Sequence, residues 1–94
     1  VLYMHLDFGL IRWPAVAERA AAARRLRVIV PVRAGYGRTE ALPKGADHLA
    51  GVTADYAAVM DHLGLKGAVA VPMGADLRFA MNLANRRPDL VRGI

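Results

Sequence analysis

Apolar residues along this chain fall into two patterns, short unbroken runs and helical stripes, and the two alternate. The runs occupy residues 1–6 (VLYMHL), 27–32 (RVIVPV) and 67–73 (GAVAVPM), and residues 91–94 (VRGI) look like a fourth strand just beginning. Runs this short predict strands buried on both faces, as in a parallel sheet. RVIVPV is the clearest of them, β-branched and bounded by a turn, and Pro31 marks where its ladder should stop.

Between the runs lie the stripes. Pro14 stands where a helix would begin, because its missing N–H is not needed there. Val16, Ala20, Ala23 and Leu26 then share a face. Residues 34–47 (AGYGRTEALPKGAD) are rich in Gly and Pro and predict a surface loop. From Asp47, an expected N-cap, apolar side chains recur at Leu49, Val52, Tyr56, Val59, Met60 and Leu63. Gly64 follows where a C-terminal cap belongs. Leu77, Ala80, Met81 and Ala84 mark one face of a third helix, which ends before Pro88.

The order β-α-β-α-β-α-β places the chain in the α/β class. It predicts a three-layer α/β/α sandwich with a mostly parallel sheet and right-handed crossovers, as a single domain over residues 1–94. A sheet this small has an exposed edge, which invites self-association.

Composition narrows the chemistry. Apolar residues make up 55% and charged residues 22%, which excludes disorder. There is no Cys, so disulfides and thiolate metal sites are ruled out, and there is no Ser. Thirteen Lys and Arg against eight Asp and Glu give a net charge of +5. The arginines cluster as Arg24, Arg25 and Arg27 and as Arg86, Arg87 and Arg92, at expected helix ends where cations complement the dipole. That placement argues against a nucleic-acid surface. The histidines, His5, His48 and His62, lack metal spacing, and the last two read as solvent-facing helix residues. GYGRTE has Glu40 where a dinucleotide loop needs its third Gly, and Gly-Lys-Ser/Thr is absent, so no cofactor or metal is expected. No run approaches a membrane span, and no secretory leader is evident. A cytoplasmic setting is expected. The chain opens on Val1 rather than Met, so it is expected to be part of a longer product.

These segments, in this order, resemble the N-terminal half of the α/β-hydrolase fold. VLYMHLDFG is similar to the strand and loop that carry His-Gly before the family's oxyanion loop. RVIVPVRAGYGRTEALP is similar to its next strand and Arg-x-Gly-x-Gly-x-Ser/Thr loop, here Arg33, Gly35, Gly37 and Thr39. DHLAGVTADYAAVMDHLGLKGAVAV resembles the helix and strand leading to the nucleophile elbow, and FAMNLANRRPDLVRGI the helix and strand beyond it.

The resemblance implies a hydrolase of esters or related bonds, acting on a small molecule. The elbow, Gly-x-nucleophile-x-Gly, maps to Pro72-Met73-Gly74-Ala75-Asp76 and puts Gly74, which has no side chain, at the nucleophile position. Asp76 is the alternative nucleophile, though its expected role is to cap the following helix, with Arg78 paired to it or solvated. Backbone N–H groups around Leu6, Asp7 and Ala75 are the expected oxyanion donors, and Leu6 replaces the family's Gly. His5 is expected either to support that loop by hydrogen bonding or to be a partly buried strand-end histidine. The family's acid and base would follow later in the chain, and Asp89 is read as an ordinary turn residue. Phe8, Leu10, Ile11 and Trp13 are expected to pack over the sheet. The chain is therefore expected to be inactive by itself. The alternative is a non-catalytic, ligand-sensing module of the kind attached to bacterial helix-turn-helix regulators, which PVRAGYGRTE and DLRFAMNLA also resemble.

Overall fold

The computed structural model describes residues 1–5 and 14–94. Its elements are β1 (Leu2–Met4), α1 (Ala15–Ala23), α2 (His48–His62), β2 (Ala68–Pro72), α3 (Leu77–Arg86) and β3 (Val91–Gly93). The class is α/β, with a parallel three-stranded sheet in the order β1-β2-β3. Leu2 lies opposite Ala70, and Met4 opposite Pro72. Between β2 and β3 the register slips, Ala68 facing Val91 and Val69 facing Gly93.

The clearest run of the sequence forms the least regular strand. Segment 27–32 touches β1 through a single bridge, Leu2 to Ile29. Ile29 donates to the Val1 carbonyl at 2.8 Å and accepts from the Tyr3 N–H at 2.9 Å. The next donor toward β1 would be residue 31, and Pro31 has no N–H to give. The ladder stops after one rung for that reason.

α2 forms as its stripe predicts. The Asp47 carboxylate accepts the Ala50 N–H at 2.9 Å, and Val52, Tyr56 and Met60 are buried. At the other end Gly64 adopts φ +66°. Its N–H reaches the Asp61 carbonyl at 3.0 Å and the Leu65 N–H reaches that of Met60 at 2.9 Å, closing the helix in a Schellman motif. Leu49 and Leu63, at the two ends of the stripe, stay partly exposed.

The core lies on one face of the sheet. Leu2 and Met4 of β1 and Ala70 of β2 meet Val52, Tyr56 and Met60 of α2, with Phe79, Ala80 and Leu83 of α3. Tyr3, buried between two core-facing neighbours, turns to the opposite face.

The two other stripes are corrected. On α3 Ala80 is buried as expected and Ala84 packs against the core, but Phe79 and Leu83 complete the buried face, whereas Leu77 and Met81 are 46% and 59% exposed. Both sets satisfy the helical period, and the helix is rotated to bury its one aromatic ring. On α1 only Ala21 is buried, and Val16 is 70% exposed. That helix rests on alanine's intrinsic preference rather than on a large apolar face.

Candidate functional site

Ile29 and Ala70 flank Leu2 on its two sides, so segment 27–32, β1, β2 and β3 lie in that order. The chain leaves β1 toward one side and β2 toward the other. The carboxyl ends of β1 and β2 therefore straddle a topological switch point, where open α/β sheets form their crevices. Three segments deliver polar side chains there: His5 after β1, Arg33 after 27–32, and Asp76 in the 3₁₀ turn Gly74–Asp76 after β2.

Arg33 and Asp76 form an ion pair between Nη1 and Oδ1, and each side chain is only 1% exposed. The Arg33 guanidinium lies 4.7 Å from the centre of the Tyr36 ring and 5.4 Å from that of Phe79. Both rings offer a negative face to the cation in a water-poor setting. The Arg33 backbone N–H donates to His5 Nε2 at 3.0 Å. An imidazole that accepts at Nε2 is neutral and carries its proton on Nδ1. The His5 ring also meets Tyr36 edge-on at 5.1 Å. The cluster ties three strand ends together.

Asp76 departs from its expected role. Its carboxylate makes no cap hydrogen bond to α3, because it turns inward to Arg33. Arg78 does not pair with it and lies 4.7 Å from the Phe79 ring centre. The Asp76 carboxylate is buried against the Arg33 guanidinium. His5 is completely buried rather than partly so, and among the described residues it supports the loop that begins at Arg33, while the oxyanion loop it was expected to support lies outside them.

Gly74 opens the turn with φ +57°, the single positive φ in residues 68–94. Left-handed backbone of this kind costs glycine little and other residues more. Gly74 and Ala75 are both exposed, beside the buried Asp76. Leu6 and Asp7, expected as oxyanion donors, lie outside the described residues, as do Phe8, Leu10, Ile11 and Trp13.

A groove of about 580 Å³ adjoins the cluster. Pro31, Val32, Leu42, Pro43 and Val59 supply apolar lining, and Glu40 and Asp55 contribute acids. His48 and His62 are exposed, as expected, and His48 stands 5.6 Å from Phe79, ring to ring. Among the described residues no three His, Cys, Asp or Glu side chains gather as a metal site, and no helix is long and apolar enough to cross a membrane.

A second set of ion pairs lies outside the cluster. Arg87, the C-cap of α3, grips both Asp61 oxygens at 2.8 Å and reaches both Asp89 oxygens at 2.9 Å. Hydrogen bonding from Arg87 holds the Asp61 and Asp89 carboxyls below their ordinary range and raises the Arg87 guanidinium above its own.

No family model, curated protein or solved structure matches the chain. Sequence reasoning named Arg33 only as part of a loop motif and gave no part to Tyr36 or Phe79. One signal was present: opposite charges each stand just beyond an apolar run, Arg33 after 27–32 and Asp76 after 67–73.

Proposed function

We propose that the chain is part of an α/β-hydrolase-type domain whose elbow carries no attacking group and which hydrolyses nothing by itself. Gly74 carries this reading: its left-handed backbone sits at the bend between β2 and α3, where the family holds its nucleophile in a strained conformation. The strand order 27–32, β1, β2, β3 is consistent with that scaffold. The reading extends to a three-layer α/β/α sandwich, of which α2 and α3 form one covering layer. Ala75 is retained in it as an oxyanion-side backbone donor, together with Leu6 and Asp7. A small-molecule ligand is the partner it implies, in a cytoplasmic setting.

A ligand-sensing module linked to a DNA-binding domain is the second reading. The inward turn of Asp76 favours it, since that acid is committed to its ion pair with Arg33. An upstream helix pair for DNA in the encoding gene would support the sensor, and a downstream Asp and His the enzyme.

Hydrolysis of a p-nitrophenyl ester tests the shared claim. The chain should give no turnover above the uncatalysed rate, and Asp76→Asn should change nothing in that assay. Turnover above that rate would overturn the reading, and its loss in an Asp76→Asn chain that urea unfolding shows to be still folded would make Asp76 the nucleophile.

A further inference from the structure

Independently of any hydrolase kinship, residues 34–46 keep their backbone hydrogen bonds to themselves. Among the described residues, the backbone-to-backbone bonds of this segment close within it or on Arg33 at its foot. Gly35 donates to the carbonyls of Thr39 and Glu40 at 3.3 and 3.1 Å, and Tyr36 to that of Arg33 at 3.0 Å. Thr39 donates to the Tyr36 carbonyl at 2.9 Å, and Ala46 to that of Pro43 at 3.0 Å. A segment bonded in this way can lift without breaking the ladders of its neighbours, which puts it at the low end of local stability.

Two side chains fasten it. Tyr36 is the first: its ring centre lies 4.7 Å from the Arg33 guanidinium, and the ring meets His5 edge-on at 5.1 Å. The ring is part of the cover that leaves the Arg33 side chain 1% exposed.

Leu42 is the second, packed against the core beside α2. It sits where that helix has Gly51. A Cβ at residue 51 would lie 2.8 Å from Leu42 Cδ1 and 3.0 Å from Cδ2, closer than packed carbons approach. Gly51 has helical backbone, so its conformation does not call for glycine, and glycine inside a helix costs stability relative to alanine. The close approach of Leu42 is what calls for it. The notch fits the leucine.

Between the two fastenings, Ala41, Leu42 and Pro43 wall one side of the 580 Å³ groove, and Val52 and Val59 of α2 wall the other. Gly35 and Gly45, near the ends of the segment, adopt φ +85° and +82° and can absorb the dihedral changes of a hinge.

We propose that residues 34–46 form a strap that opens as one unit, with Leu42 in the Gly51 notch as its catch, and that opening uncovers the Arg33–Asp76 pair.

Trypsin reads the opening, because Arg38 and Lys44 lie on either side of the catch and both are exposed. Gly51→Ala pushes a methyl against Leu42 while improving α2 as a helix. Initial cleavage after Arg38 and Lys44, followed by mass spectrometry, should then quicken at least about tenfold, in proportion to the open population. Hydrogen exchange at the Met60 and Leu83 amides, inside α2 and α3, should stay at the parent rate or slow. The Arg33 amide, bonded to His5 Nε2, should exchange faster in step with cleavage. Leu42→Ala should also speed cleavage by more than it speeds core exchange. Adding Gly51→Ala to it should give no further increase, since the methyl then meets no leucine. Cleavage indifferent to Gly51→Ala, or a rise matched by an equal rise in core exchange, would overturn the proposal. So would an Arg33 amide that stays protected while cleavage quickens, or effects that multiply in the double variant.

Discussion

Arg33 meets Asp76 inside the protein, whereas Arg87 meets Asp61 and Asp89 at its surface. The surface set looks stronger on paper: four contacts of 2.8–2.9 Å, arranged as two bidentate grips. Its side chains are 35–51% exposed, so water and salt compete for every bond. The interior pair is closed off from solvent, so its surroundings hold little water to replace a lost partner. Breaking a pair of this kind costs more than its formation gains, because an orphaned charge is left behind. Position in the fold, rather than the number of bonds, decides what each pair is worth.

The largest effect should come from orphaning the buried cation. Asp76→Ala should destabilise the chain by about 3–5 kcal/mol, read as a lowered midpoint of urea unfolding. Arg33→Met/Asp76→Leu removes both charges and should recover most of that loss, because two apolar side chains of similar bulk need no counter-charge. If the double variant were as unstable as Asp76→Ala, the pair would owe its value to shape and not to charge. Removal of the neighbouring ring, Phe79→Ala, should cost a comparable amount, about 3–5 kcal/mol, by opening a cavity in the core.

The smallest effect belongs to the surface. Asp61 and Asp89 have carboxyls held below their ordinary 3.8 in the folded protein, so the unfolded chain binds protons more readily. Their stabilising contribution is complete above 3.8 and fades as pH falls through their lower folded values. Arg87→Leu should therefore lower thermal stability slightly at neutral pH, and its profile should converge with the parent's as pH falls below the folded values of the two carboxyls. Salt at about 0.5 M should shrink the difference between the two profiles.

The same contrast explains what the sequence disclosed. α2 was legible because its determinants are local: Asp47 and Ala50 lie three residues apart, and Gly64 directly follows the C-cap residue. The parallel sheet followed from the alternation of runs and stripes. The Arg33–Asp76 pair was not legible, since its partners lie 43 residues apart and meet only once the strands align. The same acid beside a helix start reads locally as a cap, and tertiary pairing overrode that preference. α3 shows a subtler failure, in which two faces fit the period and the bulk of Phe79 chose between them. On α1 the period was present with nothing large enough to bury.

The position of β1 carries a consequence for how the chain is made. Leu2 and its register partner Ala70 are separated by 68 residues of sequence. At a synthesis rate of about 5–20 residues per second, β1 waits on the order of 3–14 s after emerging from the ribosome before β2 follows it out. Through that interval, among the described segments, 27–32 stands beside β1, joined by a single rung. A nascent chain therefore passes through a stage in which its most fully buried strand lacks its β2 neighbour.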